Sequence, residues 1–210
     1  MLELVNNLIE SGWLKTPLII ESFRTIQRRD FLLDNLKRIA DFDEALPIGW
    51  EQTISQPSVV AFMLEKLQPR IGEKILDIGS GSGWTTALLA NIVGGKGRVI
   101  ALEIIPELKE FGENNVAKYN FIKKGIVRFV EADGSKGYSK EAPFDKILCS
   151  AGTKTLPFAW KKQLKLGGKI VVPLGHSIWV FNKKSDHEFI REEYPGFVFV
   201  PLVSKESENK

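Results

Sequence analysis

The spacing of apolar residues changes character near residue 74. Before that point the pattern is helical. Leu2, Val5, Leu8 and Ile9 fall on one face, and Gly12 breaks the run. The stretches PLIIESFRTI (17–26) and RRDFLLDNLKRIA (28–40) continue the helical pattern. Pro47 and Gly49 interrupt it in LPIGWEQTIS, which predicts a loop with short extended character. QPSVVAFMLEKL then places Val60, Met63, Leu64 and Leu67 at helical spacing, with Pro57 suited to a first turn and Pro69 and Gly72 ending the helix.

From residue 74 short apolar runs alternate with amphipathic ones. KILDIG, RVIALEI, IVRFVEAD, FDKILCSA and KIVVPLG predict strands; WTTALLANIV, PELKEFGENNVAKY and FAWKKQL predict helices between them. SIWVFNK and FVFVPLV predict late antiparallel strands. Strand–helix alternation implies right-handed crossovers and a doubly wound, mostly parallel sheet. The fold class is α/β, with N-terminal helices before the core and antiparallel strands after it. One domain is expected over 1–203, divided into a helical part (1–45), a loop and helix (46–68), a core (73–176) and C-terminal strands (177–203). Residues 204–210 are expected to be a flexible tail.

Composition narrows the classes of function. The chain has 210 residues, 43% hydrophobic, enough for a full core. A net charge of +3 with scattered basic residues does not imply a nucleic-acid surface. The single cysteine, Cys149, lies in an apolar run and reads as a core thiol. One cysteine and two histidines cannot furnish a Cys/His zinc site, so no metal is expected. The acidic, amphipathic start is unlike a signal peptide, and no segment approaches the roughly 20 apolar residues of a membrane span. A cytoplasmic location is expected.

The candidate chemistry begins at LDIGSGSGW, Leu76 to Trp84. Its glycines follow a strand and precede a helix, where backbone can approach a ligand and free N–H groups face it. A dinucleotide loop requires a third glycine at position 84, where Trp84 stands, and no Gly-Lys-Ser/Thr follows for a Walker loop. Glu103 ends the next strand and is placed to accept ribose hydroxyls. Asp133 and Gly134 follow the third strand, where the carboxylate can accept from an adenine amino group or cap a helix. A nucleoside with a short zwitterionic chain fits these strand ends, and S-adenosylmethionine has that shape.

The acceptor is not named by these pieces. LPIGWEQTISQPSVVAFMLEKL resembles the signature of protein-L-isoaspartate O-methyltransferases, and the similarity continues through ILDIGSGSGW, ADGS, APFDKIL, QLKLGGKIVVPLG and FVPLV, about residues 22–203. The resemblance implies a Rossmann-like methyltransferase fold and methyl transfer from S-adenosylmethionine to the α-carboxylate of isoaspartyl residues in damaged proteins. Its partners would be isoaspartyl peptides and damaged proteins, with neither membrane nor nucleic acid, and the enzyme a monomer. Ser55 would lie at the catalytic centre. Thr53, Ile54, Ser55, Ser58 and Leu202 would meet the substrate, and the loop Ser150–Pro157 would close over it. Asp77, Gly79, Ser80, Gly81, Ser82, Gly83, Glu103, Ile104, Ala132, Asp133 and Gly134 would form the cofactor site. Read on its own, Ser55 could equally be the N-cap of the helix that follows.

The chain departs from the family pattern at Glu51 (usually small), Ser58 (usually histidine or aromatic), Thr153-Lys154 (usually Ala-Pro) and Gln27 (commonly proline). Except for Gln27 in the N-terminal helical region, these positions flank the acceptor side. They leave open a methyltransferase of the same fold with another acceptor, whether a small molecule, a different carboxylate or RNA. They also leave open a cofactor-binding homologue with a degenerate acceptor site.

Overall fold

A computed structural model describes residues 2–204. The expected tail therefore lies, apart from Ser204, outside the described residues. Strands β1 (Leu46–Gly49) and β2 (Gln52–Ile54) form an antiparallel hairpin. The central sheet contains β3 (Lys74–Ile78), β4 (Arg98–Glu103), β5 (Val127–Glu131), β6 (Phe144–Cys149), β7 (Leu164–Leu174), β8 (Ser177–Lys183) and β9 (Phe189–Pro195). Its spatial order is β5-β4-β3-β6-β7-β8-β9, with the β7–β8 and β8–β9 pairs antiparallel and the other pairs parallel. The chain moves outward from β3 in one direction and returns on the other side of it as β6. The carboxyl ends of these two strands therefore diverge into a crevice.

Period-two alternation divides the sheet residues between two cores. Ile75, Val99, Ala101, Leu148 and Val171 face one layer; Leu76, Ile100, Leu102, Ile147, Ile170 and Val172 face the other. The first layer is closed by α1 (Leu2–Glu10), α2 (Pro17–Thr25), α3 (Pro57–Leu67), α4 (Trp84–Val93) and α5 (Pro106–Ala117). The second holds Trp160 of α6 (Phe158–Gln163) against Phe144 and Leu164. Proline opens α2, α3 and α5, where its fixed φ suits a first turn and its missing N–H costs nothing.

Two expectations fail in instructive ways. Residues 28–31 and 34–39 are short 3-10 turns, not a continued α-helix. A straight helix over 28–40 would be roughly 18 Å long. Here the chain instead bends around the Arg28 side chain, which bonds the carbonyls of Ala40, Phe42 and Glu44. The late strand is not FVFVPLV but the polar, exposed Phe189–Pro195 at the sheet edge, where charged residues discourage further pairing. Residues 197–203 form an extended strap instead, joined to the loop after β6 by Gly152 N–H to Val200 O (2.7 Å) and Leu202 N–H to Gly152 O (2.8 Å).

The glycine loop rests on α5 at Gly112. A Cβ on Gly112 would lie 2.5 Å from the Gly81 carbonyl oxygen, and one on Gly83 would lie 2.7 Å from the Gly112 carbonyl oxygen. Alanine in place of an interior helical glycine ordinarily stabilises by about 1 kcal/mol. At Gly112 the sign should reverse: Gly112→Ala is expected to lower unfolding stability by roughly 1–3 kcal/mol. Denaturant titration checks this, and an unchanged or raised midpoint would show that loop and helix can part freely.

Candidate active site

The loop between β3 and α4 takes left-handed backbone at Gly79, Gly81 and Gly83 (φ 71°, 50° and 86°), which explains the glycine at each. It is stitched to the end of β4: Gly79 and Ser80 N–H groups reach the Leu102 carbonyl at 2.9 and 3.1 Å. The Glu103 carboxylate completes the fastening. Its Oε2 accepts from Gly81 N–H (2.9 Å), while Oε1 accepts from Ile104 and Ile105 N–H (2.9 and 3.2 Å). A carboxylate has about four acceptor positions, so Oε2 retains room for a hydroxyl.

These residues border a cleft with about 740 Å³ of open space. One wall is lined by Gly79, Ser80, Gly81, Ser82, Glu103, Ile104, Ala132 and Gly134. Thr53, Ile54 and Ser55 line another wall, and the strap contributes Val200 to Val203, including Leu202. Glu103 is the only charged side chain among the lining residues. The buried Ser80 hydroxyl has no partner among the described residues, an unspent polar group at the cleft. Glycine backbone, a carboxylate with an open acceptor position and an unpaired hydroxyl suit a nucleoside with an amino-acid tail.

Four predicted site residues stand outside the lining, among them Gly83, the left-handed N-cap of α4. Ser58 is buried in the first turn of α3, and its N–H donates to Asp43 Oδ1 (2.8 Å). Asp133 caps the turn after β5, with Oδ1 accepting from Ser135 N–H and hydroxyl (2.9 and 2.7 Å). Its Oδ1 is thus engaged in capping, while its neighbours Ala132 and Gly134 line the cleft. Asp77 lies beneath the loop, wholly buried, with Oδ2 accepting from the Thr86 hydroxyl at 2.6 Å and Oδ1 without a partner among the described residues.

Ser55 does not cap α3. The N-cap is Gln56, and no side chain at that position bonds the helix; Asp43 serves the first turn from across the chain. The Ser55 hydroxyl has no hydrogen-bond partner among the described residues, while its carbonyl accepts from Arg28 at 3.2 Å. Arg28 carries no signal of its own in the sequence, where residues 28–40 read only as a helical pattern. Cys149 is fully buried, and burial pushes its thiol up to about 12, so it is a core thiol.

The comparisons with known proteins bear on this arrangement. Residues 1–207 match the family model described as Protein-L-isoaspartate(D-aspartate) O-methyltransferase (PCMT). The chain belongs to that family. It is similar to a protein-L-isoaspartate O-methyltransferase of Methanopyrus kandleri, 41% identical over 97% of this chain and 91% of the relative. One from Ignicoccus hospitalis is 37% identical over 97% of both chains. A solved structure described as a protein-L-isoaspartate O-methyltransferase superposes with a TM-score of 0.87 at 28% identity, covering 96% of this chain and 65% of the other. A Plasmodium falciparum member of this description, crystallised with S-adenosyl-L-homocysteine, has the same fold at TM-score 0.87 and 22% identity, covering 96% and 97%. The Rossmann-like methyltransferase architecture is thereby that of the family.

Asp77 gives this site a measurable pH signature. Burial, only partly offset by the Thr86 hydrogen bond and reinforced by the nearby Glu103 charge, raises its pKa to about 7. In the unfolded chain an aspartate ionises near 3.9. Between about pH 4 and pH 7 the folded state holds a proton that the unfolded state has released, so this residue's contribution falls as pH rises through that window and is level above it. Asp77→Asn should therefore gain stability relative to the parent as pH rises from 4 to 8, by an amount on the order of 4 kcal/mol at most. Parallel melting curves of parent and variant across that range would refute the shift.

Proposed function

We propose that the chain transfers a methyl group from S-adenosylmethionine to the α-carboxylate of L-isoaspartyl residues in damaged proteins. The observation that carries this reading is the coincidence in one cleft of the family's Gln52-Thr53-Ile54-Ser55 segment with the Glu103-fastened glycine loop. The reading takes residues 1–203 as one methyltransferase domain acting in the cytoplasm. Among the described residues no helix is long and apolar enough to cross a membrane.

The bound cofactor supplies an electrophilic methyl group on a sulfonium. The protein's own residues supply position. Glu103 Oε2 would accept from a ribose hydroxyl, and Ala132 and Gly134 would border the base. The Ser82 N–H and those of the first turn of α4, the donors there that the loop's own bonds leave over, would serve the carboxylate of the amino-acid tail. On the acceptor side the unpaired Ser55 hydroxyl donates to the isoaspartyl carboxylate and fixes one oxygen in line. No general base is required, because a carboxylate is already ionised at neutral pH. The strap residues Val200–Val203 restrict water on the remaining side.

Two measurements test this. Labelled-methyl transfer should favour an isoaspartyl peptide over the matched aspartyl peptide, and equal transfer to both would overturn the assignment. Ser55→Ala should reduce kcat/KM for the isoaspartyl peptide by about 10-fold or more, the loss of one hydrogen bond to a charged group. Its melting temperature should stay near that of the parent, since the hydroxyl bonds nothing in the fold. A normal rate with a lowered melting temperature would make Ser55 structural.

A further inference from the structure

The hairpin that leads into Ser55 turns through two residues in an unfavourable conformation. Gly49 pairs with Gln52, leaving Trp50 and Glu51 as the two-residue loop. Both have left-handed backbone, φ 51° and 57°. Such a turn ordinarily takes Asn-Gly or Gly-Gly. A side chain in this region costs about 1–2 kcal/mol, a penalty that glycine avoids.

Among the described residues neither side chain makes a ring contact, hydrogen bond or ion pair that would offset that cost. Trp50 is 47% exposed and makes no ring contact among the described residues. Glu51 is exposed, and its carboxylate has no hydrogen-bond or ion-pair partner among the described residues. Yet the pair adjoins the cleft directly, because Gln52 is a lining residue. No cationic side chain lines the cleft, so Glu51 places an uncompensated negative charge at the rim of a site for a carboxylate.

We propose that Trp50 and Glu51 form a subsite that selects isoaspartyl peptides carrying lysine or arginine near the damaged residue; this rests on the isoaspartyl reading above. A basic side chain matches both components, with its cationic head meeting Glu51 and the indole face while its aliphatic stem lies along the ring. Register follows from the strand. Glu51 and Ser55 are four residues apart, roughly 13 Å at strand rise. An extended peptide with its isoaspartyl carboxylate at Ser55 brings the residue three or four positions away to the hairpin tip. Acidic residues at that distance are disfavoured by like charge.

The test is methylation of isoaspartyl peptides that differ only in carrying lysine or glutamate three or four positions from the isoaspartate. At low ionic strength kcat/KM should favour the lysine peptide by about five- to tenfold, and the preference should shrink in 0.5 M salt, where screening is effective within about 4 Å. Glu51→Gln, which keeps the backbone strain and removes the charge, should bring the ratio to near one. Glu51→Gly should also abolish the ratio while raising the melting temperature through relief of strain. A wild-type ratio near one, or one that Glu51→Gln leaves unchanged, overturns the subsite while isoaspartyl methylation stands. Failure to methylate any isoaspartyl peptide above its aspartyl control overturns the proposed function itself, and the subsite with it.

Discussion

The acceptor half of the cleft hangs on one buried cation. Arg28 is fully buried and donates to the carbonyls of Ala40 (2.9 Å), Phe42 (3.1 Å), Glu44 (2.7 Å) and Ser55 (3.2 Å). Its guanidinium lies 5.4 Å from the Trp84 ring centroid. Burial lowers its pKa to about 10, against an opposing pull from Asp43, so it remains charged at neutral pH. Taking a guanidinium out of water costs several kcal/mol, and hydrogen bonds to a charged group return about 1.5–3 kcal/mol each. Four such bonds offset that cost while they fix the segments they join. It joins the segment before the hairpin, the segment after it and the first residue of α4. Ser55 is thereby fixed relative to the cofactor loop by a residue that touches neither ligand.

This also accounts for the tryptophan that ends the glycine loop. In a dinucleotide fold the third glycine permits close packing of helix on strand. Here Gly83 and Gly112 provide the close approach, one residue earlier and against α5. Position 84 is then free to turn inward, and Trp84 packs edge-on against Phe23 at 5.6 Å beneath Arg28. The cofactor loop and the N-terminal layer share one side chain. Nearby, Gln27 uses the N–H that a proline would lack to bond Tyr119 Oη at 2.9 Å, and Tyr119 in turn donates to Asp30 at 2.7 Å. The departure at Gln27 thus fastens the turn after α5 to the same N-terminal segment.

What could be read in advance follows the range of the forces concerned. The parallel core was legible because each strand answers to its own alternation and each helix to its own spacing and proline. The glycine loop and Glu103 were legible for the same reason: adjacent strand ends bring them together. The 3-10 path of residues 28–39 was not, because a buried charge 12 to 27 residues from its acceptors decides it. FVFVPLV reads as a strand by local propensity, but the edge of β8 is taken by a polar segment that can tolerate solvent. The apolar strap covers the cleft instead. Ser58 and Asp133 stand outside the cleft lining: Asp43 takes the Ser58 N–H, and Asp133 Oδ1 caps the turn at Ser135, contacts that composition does not show.

The distribution of charge in the cleft fits the chemistry proposed for it. Glu103, the only ionised group in its lining, is held by three backbone N–H groups and faces the donor side. The acceptor wall of Thr53, Ile54 and Ser55 is neutral. A lysine or arginine there would bind the incoming carboxylate tightly, but that attraction would weaken as methyl transfer removes the negative charge. It would stabilise the ground state more than the transition state and slow the step. A hydroxyl orients the oxygen while leaving most of its charge uncompensated, and the strap lowers the local dielectric as it restricts water. Discrimination by charge then has to operate outside the reacting centre. The rim, where Glu51 stands apart from the bond being made, is a place where charge can select a partner without taxing the reaction.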